Sequence, residues 1–131
     1  MADITYKLNP PTVDWAQLKM RLQDDNFDNG RSVEQYRISF ENTAWVCIAY
    51  DGNDIVGTVR ALSDGICNAY IVDVWTYTPY RNQGIARHMM ETTLQQLQGQ
   101  HVYLFTDDAV GLYEKLGFAP QDVGMGRVAG Q

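Results

Sequence analysis

Two stretches of this chain carry residues whose types and spacing suit chemistry. The first is RNQGIA, Arg81 to Ala86, where a polar turn passes one glycine and runs into a helical pattern. A strand end, a glycine turn and a helix N-terminus together leave several backbone N–H groups unpaired, and the helix dipole adds partial positive charge. Arg81 and Arg87 supply full charges on either side, Gly84 lets backbone approach a ligand, and Ala86 keeps the next turn small. Such a loop suits an anion. It is not a Walker A loop, which needs Gly-Lys-Ser/Thr, nor a dinucleotide fingerprint, which needs three glycines in order. The second stretch is AVGLYEKLGF, Ala109 to Phe118, which sets Tyr113 on a short helix that Gly117 can close.

The elements around these motifs follow from periodicity. DITYKL alternates as a strand, and Asp14 can cap a helix through WAQLKMRLQ. Ser32 with Gln35 forms a capping box for a second helix, VEQYRISFEN. AWVCIAY and IVGTVRAL read as a hairpin with Asp51-Gly52 as the turn signal, and CNAYIVDVWTY as a third, longer strand. Ile85, Met89, Met90, Leu94 and Leu97 mark one face of a helix that Gly99 can end. HVYLFT follows as a strand, and DDAVGLYEKLG as a helix capped by Thr106, Asp107 or Asp108. The passage from Tyr70 to Thr106 is long enough for a crossover, so its two strands should be parallel. The predicted architecture is α/β (α+β): a mixed central sheet, an antiparallel meander followed by a βαβα unit, and helices on both faces. In the glycine-rich tail, at most GRVA could add an edge strand.

Composition bounds what such a fold can do. The 131 residues fit a single domain, 1–131, and 45% hydrophobic content can bury a real core. Ten Lys and Arg against sixteen Asp and Glu leave a formal charge of −6, which argues against nucleic acid and suits a cationic or amine-bearing partner. MADITYKLNP has no hydrophobic run, no window reaches a membrane span, and Cys47 and Cys67 read as buried reduced thiols. A cytoplasmic protein without a metal site, monomeric or homodimeric, is expected.

The two motifs together are specific. RNQGIA is similar to the Arg/Gln-x-x-Gly-x-Gly/Ala signature of the GNAT (Gcn5-related N-acetyltransferase) superfamily, and AVGLYEKLGF resembles its Ala-x-x-Leu-Tyr-x-Lys-x-Gly-Phe segment. They occur in order, with a helix and a strand between them. IVGTVRALSDG, AYIVDVWT and VYLFTDD look most like a compact branch that includes plant-type serotonin N-acetyltransferases and small bacterial relatives.

The resemblance implies transfer of acetyl from acetyl-CoA directly to an amine. It implies that the N–H groups of Asn82, Gln83, Gly84, Ile85, Ala86 and Arg87, with Arg81 beside them, cradle the CoA pyrophosphate. Val74, Trp75 and Thr76 would pair with the pantetheine arm and polarise the thioester carbonyl. Tyr113 would donate a hydrogen bond or proton to the departing thiolate. For the base that frees the attacking amine, Asp73 is the first candidate, on the reading that Val72 and Val74 point to the opposite face. Asp107 is the second, with helix capping as its plainer role. Glu34, Glu41, His88 and His101 read as solvated surface. Trp15, Tyr36, Trp75 and Tyr77 would suit an aromatic or cationic amine, an arylalkylamine or polyamine, and equally suit a core. A peptide acceptor, a non-catalytic acyl-CoA-binding regulator and a protein-interaction domain are the alternatives.

Three positions depart from the family pattern. Asn82 stands where many members have another glycine, and Thr78 stands where proline is common. Thr106 takes the place of an asparagine that touches pantetheine in many relatives, which puts that contact in doubt.

Overall fold

Helical and strand periods alternate along the chain as predicted, and the computed structural model describes residues 3–131. Met1 and Ala2, the first letters of MADITYKLNP, lie outside the described residues. β1 (Ile4–Leu8) leads into α1 (Trp15–Asp24) and α2 (Val33–Glu41). Then come β2 (Trp45–Asp51), β3 (Asp54–Ser63), β4 (Asn68–Thr76), α3 (Ile85–Leu94), β5 (His101–Tyr103) and α4 (Val110–Lys115). α1 begins where the Asp14 carboxylate accepts the Gln17 N–H. α2 begins at a capping box in which Ser32 and Gln35 satisfy each other's backbone N–H groups.

The strands lie in the order β1-β2-β3-β4-β5, antiparallel as far as β4 and parallel between β4 and β5. Leu18, Leu22, Tyr36 and Phe40 pack α1 and α2 onto one face, against Val46, Ile48 and Trp75. Ile85, Met89, Met90 and Tyr113 pack α3 and α4 onto the other, against Cys47, Val59 and Ile71. Each such aliphatic side chain, fully buried, contributes about 1.5–3 kcal/mol. α3 comes closest to the sheet at Gly57, where a Cβ would lie 2.8 Å from Met89 Cε and 3.1 Å from the Trp75 carbonyl oxygen. Only glycine fits there without repacking Met89.

Several boundaries differ from expectation. The hairpin turn is centred one residue later, on Gly52 and Asn53, with Gly52 at φ +62°. β5 covers only His101–Tyr103, because β4 carries a β-bulge and turns away from it. The register against β3 breaks between Thr58 and Arg60, and Asp73 takes φ +52° in the middle of the strand. α4 starts at Val110 and is capped by no side chain on the helix, although Thr106 Oγ1 accepts the Ala109 N–H at 3.0 Å. The tail forms no strand. Cys67 is exposed rather than buried, since Asp64 Oδ1 gathers the N–H groups of Ile66, Cys67 and Asn68 into a solvent-facing turn. Among the described residues no helix is long and apolar enough to cross a membrane, and no cluster of His, Cys, Asp and Glu could hold a metal.

Cys47, by contrast, is fully buried, and burial pushes its thiol up to about 11. The native state therefore holds this proton more tightly than the unfolded chain does. That contribution to stability is whole below pH about 9 and lost as pH climbs through about 11. A thiol reagent at neutral pH should label Cys67 quickly and Cys47 only on unfolding, and chemical-denaturation midpoints should fall from pH 9 upwards. Two rapidly labelled thiols would show that Cys47 is not sealed.

Candidate active site

The turning away of β4 creates the site. β4 pairs with β5 only through Asn68, Ala69 and Tyr70, then runs on to Thr76 paired with β3 but with its β5-side edge free. Between this free edge and the chain that descends from β5 lies a cleft of about 1060 Å³. RNQGIA, apart from Gln83, lines it, the β4 edge and α4 contribute to its walls, and the α1–α2 loop contributes Phe27 and Arg31.

The loop has the geometry its letters suggest. Asn82 at φ +64° and Gly84 at φ +81° turn the chain so that α3 starts at Ile85. Asparagine is among the few non-glycine residues that tolerate this region, which accounts for Asn82 where a glycine is common. From Asn82 to Arg87 no backbone N–H donates to any group among the described residues; pairing resumes with His88 N–H to the Gly84 carbonyl. A Cβ on Gly84 would meet no protein atom within 4 Å. Unpaired donors around open space at a helix N-terminus form an anion cradle.

Behind the cradle stands a carboxylate that the sequence reading overlooked. Asp25, at the end of α1 and only 6% exposed, accepts from Trp75 Nε1 at 2.9 Å, Thr78 N–H at 3.1 Å and Thr78 Oγ1 at 2.8 Å. Arg81 Nη2 lies 3.8 Å from it, and Arg81 Nε donates to the Thr76 carbonyl at 3.0 Å. Asp24 beside it accepts from the Tyr77 hydroxyl at 3.0 Å. These contacts fix the single 3-10 turn Thr78–Tyr80 that leads into the loop. They also explain Thr78: a proline there would have neither the N–H nor the hydroxyl that Asp25 binds.

The walls carry the remaining candidates. Tyr113 is buried, stacks edge-on against Phe118 at 5.9 Å and lines the cleft. Burial first, and the Asp108 carboxylate second, push its phenol above the ordinary tyrosine value, so it keeps its proton at neutral pH. Thr76 Oγ1 is buried in the lining with no hydrogen-bond partner, the kind of orphan that a ligand would satisfy. Val74 packs with the α3-side core, while Trp75 is in the α1–α2 core. Asp107 lines the cleft but is exposed, and it does not cap α4.

A family model described as "Acetyltransferase (GNAT) family" matches residues 8–118 of this chain. The chain belongs to the GNAT acetyltransferase family. An uncharacterized N-acetyltransferase, ycf52, of Pyropia yezoensis is 28% identical over 96 residues, 67% of this chain and 55% of that protein. The chain thus spans about half the length of the curated relatives it matches. Among solved structures, the GNAT family protein SP0256 of Streptococcus pneumoniae TIGR4 superposes with a TM-score of 0.83 at 23% identity, covering 98% of this chain and 100% of that one. A GNAT-family protein of Xanthomonas campestris pv. campestris gives 0.83 at 22%, with 99% and 96% covered. At these identities the two structures show the fold alone.

In this GNAT chain, Asp73 is placed differently from the alternation expected of a strand. Val72 pairs across the sheet with Arg60, and directly paired residues share a face. Asp73 also reaches Arg60, so the bulge puts Val72 and Asp73 on the same side rather than on opposite ones. Asp73 Oδ2 accepts from Arg60 Nε at 2.9 Å, lies 2.9 Å from Arg60 Nη2 in an ion pair, and lies 3.5 Å from Arg31 Nη1. Among the described residues its Oδ1 has no hydrogen-bond partner. Of the aromatics considered for the acceptor, Tyr36 and Trp75 are 2% exposed core residues, Trp15 packs beside them, and Tyr77 is tied to Asp24.

Nothing local in DDNFDNG marks Asp25; only the fold brings it to Thr78. Replacing Asp25 with Ala should cost about 1–3 kcal/mol, because Trp75 Nε1 is left without its acceptor. Amide exchange should quicken from Tyr77 through Gln83. Unchanged exchange there would remove Asp25 from the support of the loop.

Proposed function

We propose that this chain is an acetyl-CoA-dependent N-acetyltransferase that transfers acetyl directly to a primary amine of a small molecule within a ternary complex. One observation carries the reading: the unpaired N–H groups of Asn82 to Arg87 open onto the same cleft that holds the buried phenol of Tyr113. An anion cradle alone would fit a binding protein. An anion cradle joined to a protonated acid at a free strand edge fits acyl transfer.

Acetyl-CoA supplies the activated acyl group, and the residues of this chain do the rest. The cradle and Arg81 hold the pyrophosphate, which fixes the coenzyme's register along the cleft. The β4 edge from Val74 to Thr76 offers backbone groups to the pantetheine amides, and Thr76 Oγ1 gains a partner there. Thr106 Oγ1 is already engaged with the Ala109 N–H, so Thr106 serves the turn as much as the coenzyme. Tyr113 holds a proton for the departing thiolate. Asp73 has one oxygen committed to Arg60, and its Oδ1 is left to receive the acceptor's ammonium. Asp107, exposed in the cleft lining next to Asp108, is the second candidate base. The two free thiols suit a reducing, cytoplasmic setting.

Thiol release from acetyl-CoA with a panel of amines tests the reading. Tight CoA binding with no release for any amine would favour the non-catalytic alternative. Tyr113→Phe should lower kcat on the order of 10²-fold, and a drop below about threefold would reduce Tyr113 to packing. Gly84→Val forces a β-branched residue to positive φ and fills the cradle, so CoA affinity should fall at least about tenfold while the core stays folded.

A further inference from the structure

The acceptor end of the cleft has a charge at odds with the chain around it. The protein carries −6 overall, yet Arg31 and Arg60 face a single carboxylate, Asp73, leaving that cluster at +1. The two arginines are not equivalent. Arg60 is 7% exposed, and its nitrogens are taken by Asp73, by Thr43 Oγ1 at 2.8 Å and by the Ser39 carbonyl at 3.3 Å. Its guanidinium also lies over the Phe40 ring at 4.9 Å. Arg60 is a structural cation, with Nε and Nη1 engaged and Nη2 beside the Asp73 carboxylate.

Arg31 makes one long contact, Nη1 to Asp73 Oδ2 at 3.5 Å, to an oxygen that Arg60 already holds twice. Its side chain is 39% exposed and lines the cleft, so its remaining donors are open to a ligand. The backbone that carries it is nevertheless fastened. Lys19 Nζ donates to the Arg31 carbonyl at 2.5 Å and to Asp28 at 2.9 Å, and the Tyr36 hydroxyl donates to the Asp28 carbonyl. A fixed backbone with a free guanidinium is a prepared anion receptor, since the planar fork matches a carboxylate or phosphate.

We infer that the amine accepted here carries an acid group, a carboxylate or a phosphate, and that Arg31 holds it. This rests on the acetyl-transfer reading above and names which acceptors its cleft selects. Phe27, Leu62 and Tyr70 line the same cleft and offer apolar surface to the rest of such a molecule. The ammonium goes to Asp73 Oδ1, so a zwitterion meets both charges in one seat. A polyamine meets a net positive cluster and is disfavoured, against the expectation drawn from overall charge.

Matched pairs of acceptors test it: tyrosine against tyramine for the carboxylate, and O-phosphoethanolamine against ethanolamine for the phosphate. With the full chain and acetyl-CoA, the acid-bearing member of at least one pair should show kcat/KM at least about tenfold higher, with the gap closing at high salt. Which pair shows it tells carboxylate from phosphate. Arg31→Gln should raise KM for the acid-bearing member about tenfold and for its neutral partner less than about threefold, with Arg31→Lys between. Preference for the neutral members, or equal losses on both, overturns the inference. Calorimetric titration of the four amines into CoA-saturated protein reads the same preference without turnover. If no amine is acetylated, the catalytic reading fails while the titration still decides this one; binding of neither acid sinks it.

Discussion

The bulge at Asp73 is the constraint on which the rest of the site depends. A non-glycine residue at φ +52° inside a strand is strained by about 1–3 kcal/mol, and it persists only where its surroundings hold it. Arg60 does the holding, with two nitrogens on the carboxylate, and Thr58 Oγ1 binds the Asp73 carbonyl at 2.8 Å. The pair is part-buried, and removing Arg60 would leave the Asp73 carboxylate without the partner that holds it against this strain. The pairing of β4 with β5 ends at Tyr70, and from there through the bulge the strand lines the cleft.

The bulge also distributes the side chains of β4 between two tasks. Val74, after the bulge, faces the α3 core, while Trp75 crosses to the α1–α2 core and gives its indole N–H to Asp25. The same strand thus opens the cleft and anchors the support of the anion loop. Two engaged carboxylates act on this strand, Asp73 at its mid-strand bulge and Asp25 on the Trp75 indole near its end. Neither is a free surface charge, although both belong to a chain rich in acids.

Periodicity and caps made most of the fold legible, since each of those signals is local. Asp14 and the Ser32–Gln35 box start their helices where the letters place them, and the parallel pairing of β4 with β5 follows from the crossover length. The RNQGIA cradle was legible for the same reason, being a turn and a helix start within a few residues. What escaped is what depends on distant partners. Strand alternation placed Val74 correctly on the opposite face but misassigned Val72, because the bulge is stabilised by Arg60, thirteen residues away in sequence. The Asp25 clamp joins positions 53 apart, and no local pattern in DDNFDNG announces it. Cys67 looked buried by its neighbours, but the Asp64 turn that exposes it is set by side-chain to backbone bonds.

The segment from Asp25 to Arg31 therefore carries more than a loop's usual share. Its first residue braces the coenzyme loop through Thr78, and Phe27 and Arg31 line the acceptor end. Lys19 from α1 and Tyr36 from α2 bind it at Asp28 and Arg31, so it moves with the helices rather than independently. Both seats of a two-substrate reaction are then referred to one short, fastened stretch. Rate enhancement by proximity requires reacting atoms about 3–3.5 Å apart, a tolerance that separate flexible loops would not keep. Asp25 and Arg31 are conventionally read as surface charges on a turn. On the acetyl-transfer reading proposed above, they fix the distance between what gives the acetyl group and what receives it.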